Sequence, residues 1–404
     1  MMVKSLPVRS IVHAIDAAAS AWRNPALAAR QRARAAVSER MEYSLPVVDY
    51  AFDRLFRSIT ADGLRRVIAA ELGSLDALDT FIECEPGLFA KALGIGRVCV
   101  VSSRTTIGVA ILPAIFALCA KCDVLVKDRA DHLVAAFFAT LAEASPEFGP
   151  AAVARPWRGE RDRVDLAEYD CVVAFGADAT LNAIASTLRV PTRYIAYPAK
   201  SSAGYLAAPA LQSESEAAAL ARDAARDMLL YDGEGCLSLH LLFVERGGHV
   251  SPQAFCTLLR RAIETVEVRF PALPRTEGAA RRAMARDLAA FRTAVVDRDV
   301  VDAAASSLVL LDAPLEEAPL LAPRAINVRS VDAPADALEY LRLHRISLES
   351  LAVAPGGAPA RDLAAASGAA RVAPFGSLQA PRLANPHGGR PRIAEFVRWI
   401  VDET

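Results

Sequence analysis

With 404 residues the chain is long enough for two domains with sizeable cores, and a hydrophobic fraction of 53% excludes a disordered protein. Acidic and basic residues nearly cancel to a formal charge of -1, and the basic ones are mostly Arg without a block, which argues against a dedicated nucleic-acid binder. Seven cysteines, an odd count with no framework spacing, point to reduced thiols and a cytoplasmic protein.

The segment Ser10–Ser20 carries His13 and Asp16 where a secretory signal would be apolar. Residues 8–80 read as helices. Apolar positions recur at helical spacing in Val47–Phe56, and Thr60-Ala61-Asp62-Gly63 opens a helix over Leu64–Leu72. From Gly96 the texture changes. Val98–Ser102, Cys122–Lys127, Cys171–Phe175 and Thr192–Ala196 read as short strands. Helices are expected at Gly108–Lys121, Asp131–Ala144 and Asp178–Ser186. This alternation implies βαβ units and a parallel sheet. The longest apolar run, Ile107–Ala120, falls short of the ~20 residues of a membrane span and contains Pro113. Ligands on such sheets sit in the loops after the strands, which here hold Ser102–Thr106, Lys127–Arg129, Gly176–Asp178 and Pro198–Gly204.

Ser213–Leu230 reads as a helix leading through Tyr231–His240 to a strand at Leu241–Glu245. A second α/β region continues to about residue 370, with Pro/Ala-rich loops near Ala313–Pro323 and Ala354–Pro359. The apolar tail Phe396–Val401 is expected to dock as a helix or strand.

The sharpest local feature is Asp232-Gly233-Glu234-Gly235-Cys236-Leu237-Ser238. Glycines let the backbone take φ > 0, and a cysteine among free N–H groups gains a lowered pKa and an oxyanion site. Taken alone, the motif is also compatible with a buried structural thiol. Cys119-Ala-Lys-Cys122 ends an apolar helix and has no second pair or nearby histidines, so core thiols are expected there and no metal site. Gly94-Ile95-Gly96 precedes a strand and is a turn, not a phosphate loop. Of the five lysines, Lys127 and Lys200 stand just after predicted strands, where a lysine reaches a nucleotide or caps the strand in solvent.

The ordered set of blocks resembles the acyl-CoA reductases typified by the long-chain fatty acyl reductase subunit of bacterial bioluminescence, within the aldehyde dehydrogenase superfamily. The resemblance runs from about Trp22 to Trp399. Its most specific block is Ala225-Arg-Asp-Met-Leu-Leu-Tyr-Asp-Gly-Glu-Gly-Cys236-Leu-Ser. Supporting blocks are Val124-Leu-Val-Lys127, Trp157-Arg-Gly, Tyr169-Asp-Cys-Val-Val-Ala-Phe-Gly176-Ala-Asp, Tyr197-Pro-Ala-Lys200-Ser, Phe375-Gly-Ser-Leu-Gln-Ala-Pro, His387-Gly-Gly and Phe396-Val-Arg-Trp.

The resemblance implies an α/β, aldehyde dehydrogenase-like fold. A Rossmann-type cofactor domain with N-terminal helices is expected over residues 1–203 and a second α/β catalytic domain over 204–372. Residues 373–404 would pack back on the cofactor domain or form a subunit interface. It implies Cys236 as the nucleophile that takes the acyl group. Lys127, Arg129, Gly176, Ala177 and Asp178 would hold the nicotinamide cofactor, and Lys200 lies in the segment joining the two domains. Where the superfamily has an oxyanion-binding asparagine, this chain has Ser103-Arg104-Thr105-Thr106, so Arg104 and Thr105 are the candidate substitutes. Leu239 and His240 stand where the family often has Pro-Gln. Ala196 stands where acid-forming aldehyde dehydrogenases carry a general-base glutamate, so water activation on an acyl-enzyme is expected to be slow. The implied activity is reduction of an acyl-CoA or acyl-carrier-protein thioester to an aldehyde. NADPH is expected as donor because Arg129 can meet a 2′-phosphate and Ala130 is neutral. A homo-oligomer is expected. The alternatives are a catalytically weak binding or scaffold subunit of the same fold, and an aldehyde dehydrogenase that forms acid.

Overall fold

The structure, a computed structural model, describes residues 3–103, 106–128, 132–156, 164–273, 280, 283–284, 287, 306–313 and 323–404. The expectations for Arg104, Thr105, Arg129, Ala130, the Trp157-Arg-Gly block and most of the loop at Ala313–Pro323 lie outside the described residues. The chain divides into two compact units. The first comprises Met1–Met41, Val48–Ala199 and Arg382–Thr404, and the second comprises Glu42–Val47 and Lys200–Pro381.

In the first unit the N-terminal helices are α1 (Val8–Trp22), α2 (Ala28–Met41), α3 (Leu45–Ser58) and α4 (Ala61–Leu72), α3 beginning in the second unit's segment. Thr60 caps α4 by accepting from the Gly63 N–H at 3.0 Å, a bond of about 1 kcal/mol that fixes where the helix begins. The buried Trp22 packs among Phe52, Phe56 and Phe137, and its indole N–H reaches Thr140 Oγ1 at 3.0 Å. A hairpin of β1 (Ile82–Glu85) and β2 (Leu88–Gly94) follows, and sequence periodicity gave no sign of it. The next strands are β3 (Arg97–Val101), β4 (Asp123–Asp128), β5 (Ala152–Pro156), β6 (Cys171–Gly176) and β7 (Arg193–Pro198). They form a parallel sheet in the order β5-β4-β3-β6-β7. Among the described residues, α5 (Ile111–Cys119), α6 (Leu133–Ala144), the short α7 (Phe148–Ala151) and α8 (Asp178–Ala185) connect them, α8 lying between β6 and β7. The helix expected from Gly108 begins only at Ile111, because Gly108 has φ +69 and sits in a turn. Among the described residues no helix is long and apolar enough to cross a membrane.

The second unit is built on β8 (Ser201–Leu206), α9 (Glu214–Leu229), β9 (Leu239–Glu245) and α10 (Pro252–Arg269). It continues through β10 (Leu308–Leu311), β11 (Ala325–Val331), α11 (Pro334–Leu343), β12 (Leu348–Ala354), α12 (Ala358–Ser367) and β13 (Arg371–Ala373). The six strands are parallel in the order β10-β11-β9-β8-β12-β13. One face, with Leu242, Val244, Ile326 and Val328, packs on α9 and α10. The other, with Tyr205, Leu241, Phe243 and Val353, packs with Ala337, Leu341 and Leu363 from α11 and α12. Strands β8, β9 and β12 therefore alternate between two apolar layers, as a doubly covered parallel sheet requires.

The loop expected at Pro198–Gly204 is in fact the entry to the central strand β8. Its Ser and Gly content hides it, and packing explains the glycine. A Cβ on Gly204 would lie 2.8 Å from Leu242 Cδ1 and 2.8 Å from the Phe375 ring. The C-terminal tail forms β14 (Val397–Asp402), antiparallel to β2, and Glu71 anchors the segment before it by accepting the N–H groups of Arg392, Ile393 and Ala394. We expect Gly204→Ala to destabilise the full chain by about 1–3 kcal/mol through overpacking, read as a lower denaturation midpoint. An unchanged midpoint would contradict the packing account.

Candidate active site

In the first unit the direction of chain crossing reverses between β3 and β6, which are neighbours in the sheet. A parallel sheet opens a crevice beyond the carboxyl ends of its strands at such a point. Val101 ends β3, Ser102 follows it, and Gly176 ends β6. Lys127 lies on β4 beside β3, within the strand and not after it. Ala177 is the N-cap of α8 and makes no side-chain cap bond, and Asp178 is the first helical residue. Among the described residues a Cβ at Gly176 would meet only the Thr180 side chain, at 3.6 Å. The structure thus brings Lys127, Gly176, Ala177 and Asp178 to one end of one sheet, an arrangement that fits a dinucleotide. Phe175 stacks on Tyr197 at 4.8 Å, and Tyr197 on His387 at 4.4 Å. That stack was not foreseen, although the His387-Gly-Gly block signalled the segment.

In the second unit the groups around Cys236 gather at the amino ends of the strands. Helix α9 runs into a turn where Tyr231, Asp232 and Gly233 have φ of 56, 53 and 70. Three successive left-handed residues, two of them not glycine, cost energy that the surroundings must offset. Arg324, fully buried just before β11, does so. Its side chain bonds Asp232 Oδ1 at 2.7 Å, Glu267 Oε1 at 2.9 Å and the Phe270 carbonyl at 2.7 Å. Its own N–H donates to the Asp232 carbonyl at 2.9 Å. A Cβ on Gly233 would stand 3.0 Å from the Arg324 nitrogen, which is why the motif needs glycine there.

Cys236 follows this turn and is half-buried. Its carbonyl accepts from Ser202 Oγ of β8 at 2.7 Å. Burial and then the Glu349 carboxylate push the thiol up to about 12, while the backbone N–H groups of Cys236 and Leu237 and the Lys200 ammonium act against them. Asp227, at the end of α9, accepts from the N–H groups of Gly376 at 2.6 Å and Leu378 at 3.2 Å. Gln379 reaches both the Asp227 carbonyl at 3.3 Å and Ser238 Oγ at 2.9 Å. The Phe375-Gly-Ser-Leu-Gln segment is thereby a brace behind the Cys236 turn. Burial raises Asp227 to about 7.

Two irregularities flank β8. Ser202 pairs with Leu239 and Ala203 with Leu241, so His240 is an extra residue in β9. On the other side Ser201 pairs with Leu348 and Ser202 with Ser350, so Glu349 is an extra residue in β12. Bulges are rare in parallel pairs and re-aim side chains. His240 is buried, and burial lowers it to about 4, the Gly235 backbone acting the other way. Glu349 faces Lys200 at 3.8 Å. Neither Glu349 nor the Asp232–Arg324–Glu267 set was legible in the sequence, since the partners are far apart along the chain. Cys119 and Cys122 are buried, and burial raises them to about 12 and about 11.

A family model described as acyl-CoA reductase (LuxC) matches residues 3–399. The sequence matches no curated protein. Among solved structures, the chain is similar to an NAD-dependent benzaldehyde dehydrogenase from Corynebacterium glutamicum, with 15% identity and a TM-score of 0.73 over 100% of this chain and 87% of that one. An NADP-dependent glyceraldehyde-3-phosphate dehydrogenase from Bacillus halodurans C-125, complexed with NADP, gives 13% identity and a TM-score of 0.72 over 99% and 87%. An oxidoreductase from Marinobacter aquaeolei gives 12% identity and a TM-score of 0.75 over 98% and 86%. The fold is that of the aldehyde dehydrogenases.

Two buried groups here titrate against each other. His240 has its folded pKa depressed, from 6.5 to about 4, so its contribution to stability is present above pH 6.5 and is lost as pH falls toward 4. Asp227 has its folded pKa raised, from 3.8 to about 7, so its contribution is present below 3.8 and is lost as pH rises toward 7. Each changes stability by about 1.4 kcal/mol per pH unit in that shared window, with opposite sign. Asp227→Asn should therefore make the chain lose stability more steeply on acidification from pH 6.5 to 4.5. His240→Gln should make stability fall as pH rises over the same range. Denaturant midpoints at three pH values test this, and parallel profiles for both variants and the parent would refute it.

Proposed function

The chain belongs to the acyl-CoA reductase (LuxC) family and is an aldehyde-related oxidoreductase, and from that premise we propose that it reduces an acyl thioester to an aldehyde with Cys236 as the covalent carrier. The substrate is an acyl-CoA or an acyl-carrier protein. The carrying observation is the turn at 231–233, which spends backbone strain to present one half-buried thiol with the N–H groups of Cys236 and Leu237 against its sulfur.

The Cys236 thiolate attacks the thioester carbonyl, and the carrier thiol leaves. The N–H groups of Cys236 and Leu237 face the oxyanion that forms on that carbon, with Arg104 or Thr105 proposed as a further donor. NADPH, when bound, supplies hydride to the acyl carbon. Lys127, Gly176, Ala177 and Asp178 would hold it at the carboxyl end of the first unit's sheet, with Arg129 on its 2′-phosphate. Ser202 fixes the Cys236 carbonyl and with it the direction of the thiol. Ala196, on β7 opposite Ala174, offers no carboxylate to activate water, which favours a long-lived acyl-enzyme over acid formation. A proposed subunit interface is the outer edge of β14, where Trp399, Ile400 and Val401 are exposed.

Mixing the protein with an acyl-CoA in the absence of NADPH should release at most about one equivalent of CoA in a burst. Cys236→Ala should abolish both the burst and NADPH oxidation while the fold is kept. Steady CoA release with acid as product would instead indicate an acid-forming dehydrogenase, and no release at all would indicate a scaffold. For the cofactor, Arg129→Ala should weaken NADPH by about 1–3 kcal/mol and spare NADH, the scale of a charge-assisted contact. Equal losses for both would exclude the 2′-phosphate role.

A further inference from the structure

The thiol at Cys236 interacts with charges at the starts of three strands, β8, β12 and β13. Lys200 stands at the start of β8 and Glu349 in the bulge of β12, joined at 3.8 Å. Their side chains are 21% and 12% exposed, so the pair is largely withdrawn from water. Arg371 at the start of β13 pairs with Ser350 and also donates to the Leu378 and Ser377 carbonyls. Asp227 and the Glu349 carboxylate both act on Arg371, as does Cys236. Ser202, whose hydroxyl holds the Cys236 carbonyl, pairs with Ser350, the residue after Glu349. The backbone thus sets Glu349 one residue from the strand position that grips Cys236.

A regular β12 would leave Glu349 in register. The bulge instead inserts a carboxylate at the amino end of a strand otherwise lined by Leu348, Leu351 and Val353. Burying a carboxylate in such a place is costly, and Lys200 at 3.8 Å helps to offset that cost. A thiol held up to about 12 by burial and a neighbouring carboxylate has little thiolate at neutral pH. Such a thiol reacts with a thioester only if its proton has somewhere to go during attack.

We propose that Glu349, poised by Lys200, is the proton acceptor for Cys236 in thioester attack and returns that proton to the leaving thiolate. The inference rests on Cys236 being the acyl carrier. In the step, the S–H bond of Cys236 breaks and its proton passes to a Glu349 carboxylate oxygen. The sulfur electron pair forms the bond to the acyl carbon. The bond from that carbon to the CoA sulfur breaks, its electrons staying on CoA sulfur, and Glu349 gives the proton to it. Nothing is oxidised or reduced in this step, and Glu349 ends as it began. Lys200 is a positioning residue that orients the carboxylate and lowers the thiol.

The test sets two readouts against each other in the full chain, neither requiring NADPH. One is the rate of CoA release in the acylation burst. The other is the pH profile of iodoacetamide labelling on the Cys236 peptide, quantified by mass spectrometry so that exposed Cys84 does not intrude. Removing a carboxylate that only raises the thiol would speed both. In Glu349→Gln we expect labelling to shift to lower pH while the burst slows by on the order of 100-fold, the scale of general-base catalysis. Lys200→Met should shift labelling to higher pH. A burst in Glu349→Gln as fast as in the parent overturns the proposal, as does a labelling profile indifferent to both substitutions. Cys236→Ala separates the two readings. If that variant still shows the burst, the carrier assignment fails; if it does not and Glu349→Gln is unimpaired, only the role of Glu349 fails.

Discussion

The buried guanidinium of Arg324 is the interaction on which the second unit's site depends. It spans the Asp232 and Glu267 carboxylates with no exposure of its own side chain and donates to the Phe270 carbonyl, while the main-chain N–H of Arg324 donates to the Asp232 carbonyl. Such a set is weak evidence for net stability, because desolvating three charges costs about as much as their attraction returns. Removing one member is another matter, since it leaves an uncompensated buried charge worth about 3–5 kcal/mol. What the set achieves is conformational. It ties the left-handed path through Tyr231, Asp232 and Gly233 to the entry of β11, and Cys236 follows that path.

The two units use parallel sheets in opposite ways. In the first, Lys127, Gly176, Ala177 and Asp178 lie at the carboxyl ends, where strand polarity and a helix start favour a phosphate-bearing ligand. In the second, Cys236, Lys200, Glu349 and Arg371 all precede or open their strands. Amino ends of strands offer no ready crevice, so the second unit makes its site from a strained turn and two bulges.

Much of the first unit was legible because apolar strands of about five residues alternate with helices, and β3, β4, β6 and β7 all fall within a residue or two of their expected places. The hairpin β1–β2 was not, since residues 82–94 carry neither clear alternation nor a glycine–asparagine turn. Strand β8 was misread as a loop because the space beside Leu242 and Phe375 demands glycine at Gly204, and Ser202 bonds the Cys236 carbonyl, where a central strand would ordinarily be Val or Ile. The Gly-Glu-Gly-Cys segment was legible as a special backbone, but its cause was not: Asp232 and Arg324 are 92 residues apart. Register shifts such as those at His240 and Glu349 leave no mark in a single strand's sequence, because they exist only relative to the neighbour.

The central claim is that Cys236 carries the acyl group. Intact-protein mass spectrometry of the full chain after brief exposure to an acyl-CoA tests it most directly, followed by peptide mapping. The account predicts a mass increase of one acyl group, confined to the peptide containing Cys236 and discharged as aldehyde on addition of NADPH. An acyl adduct on another cysteine, or turnover with no adduct on any, would contradict it.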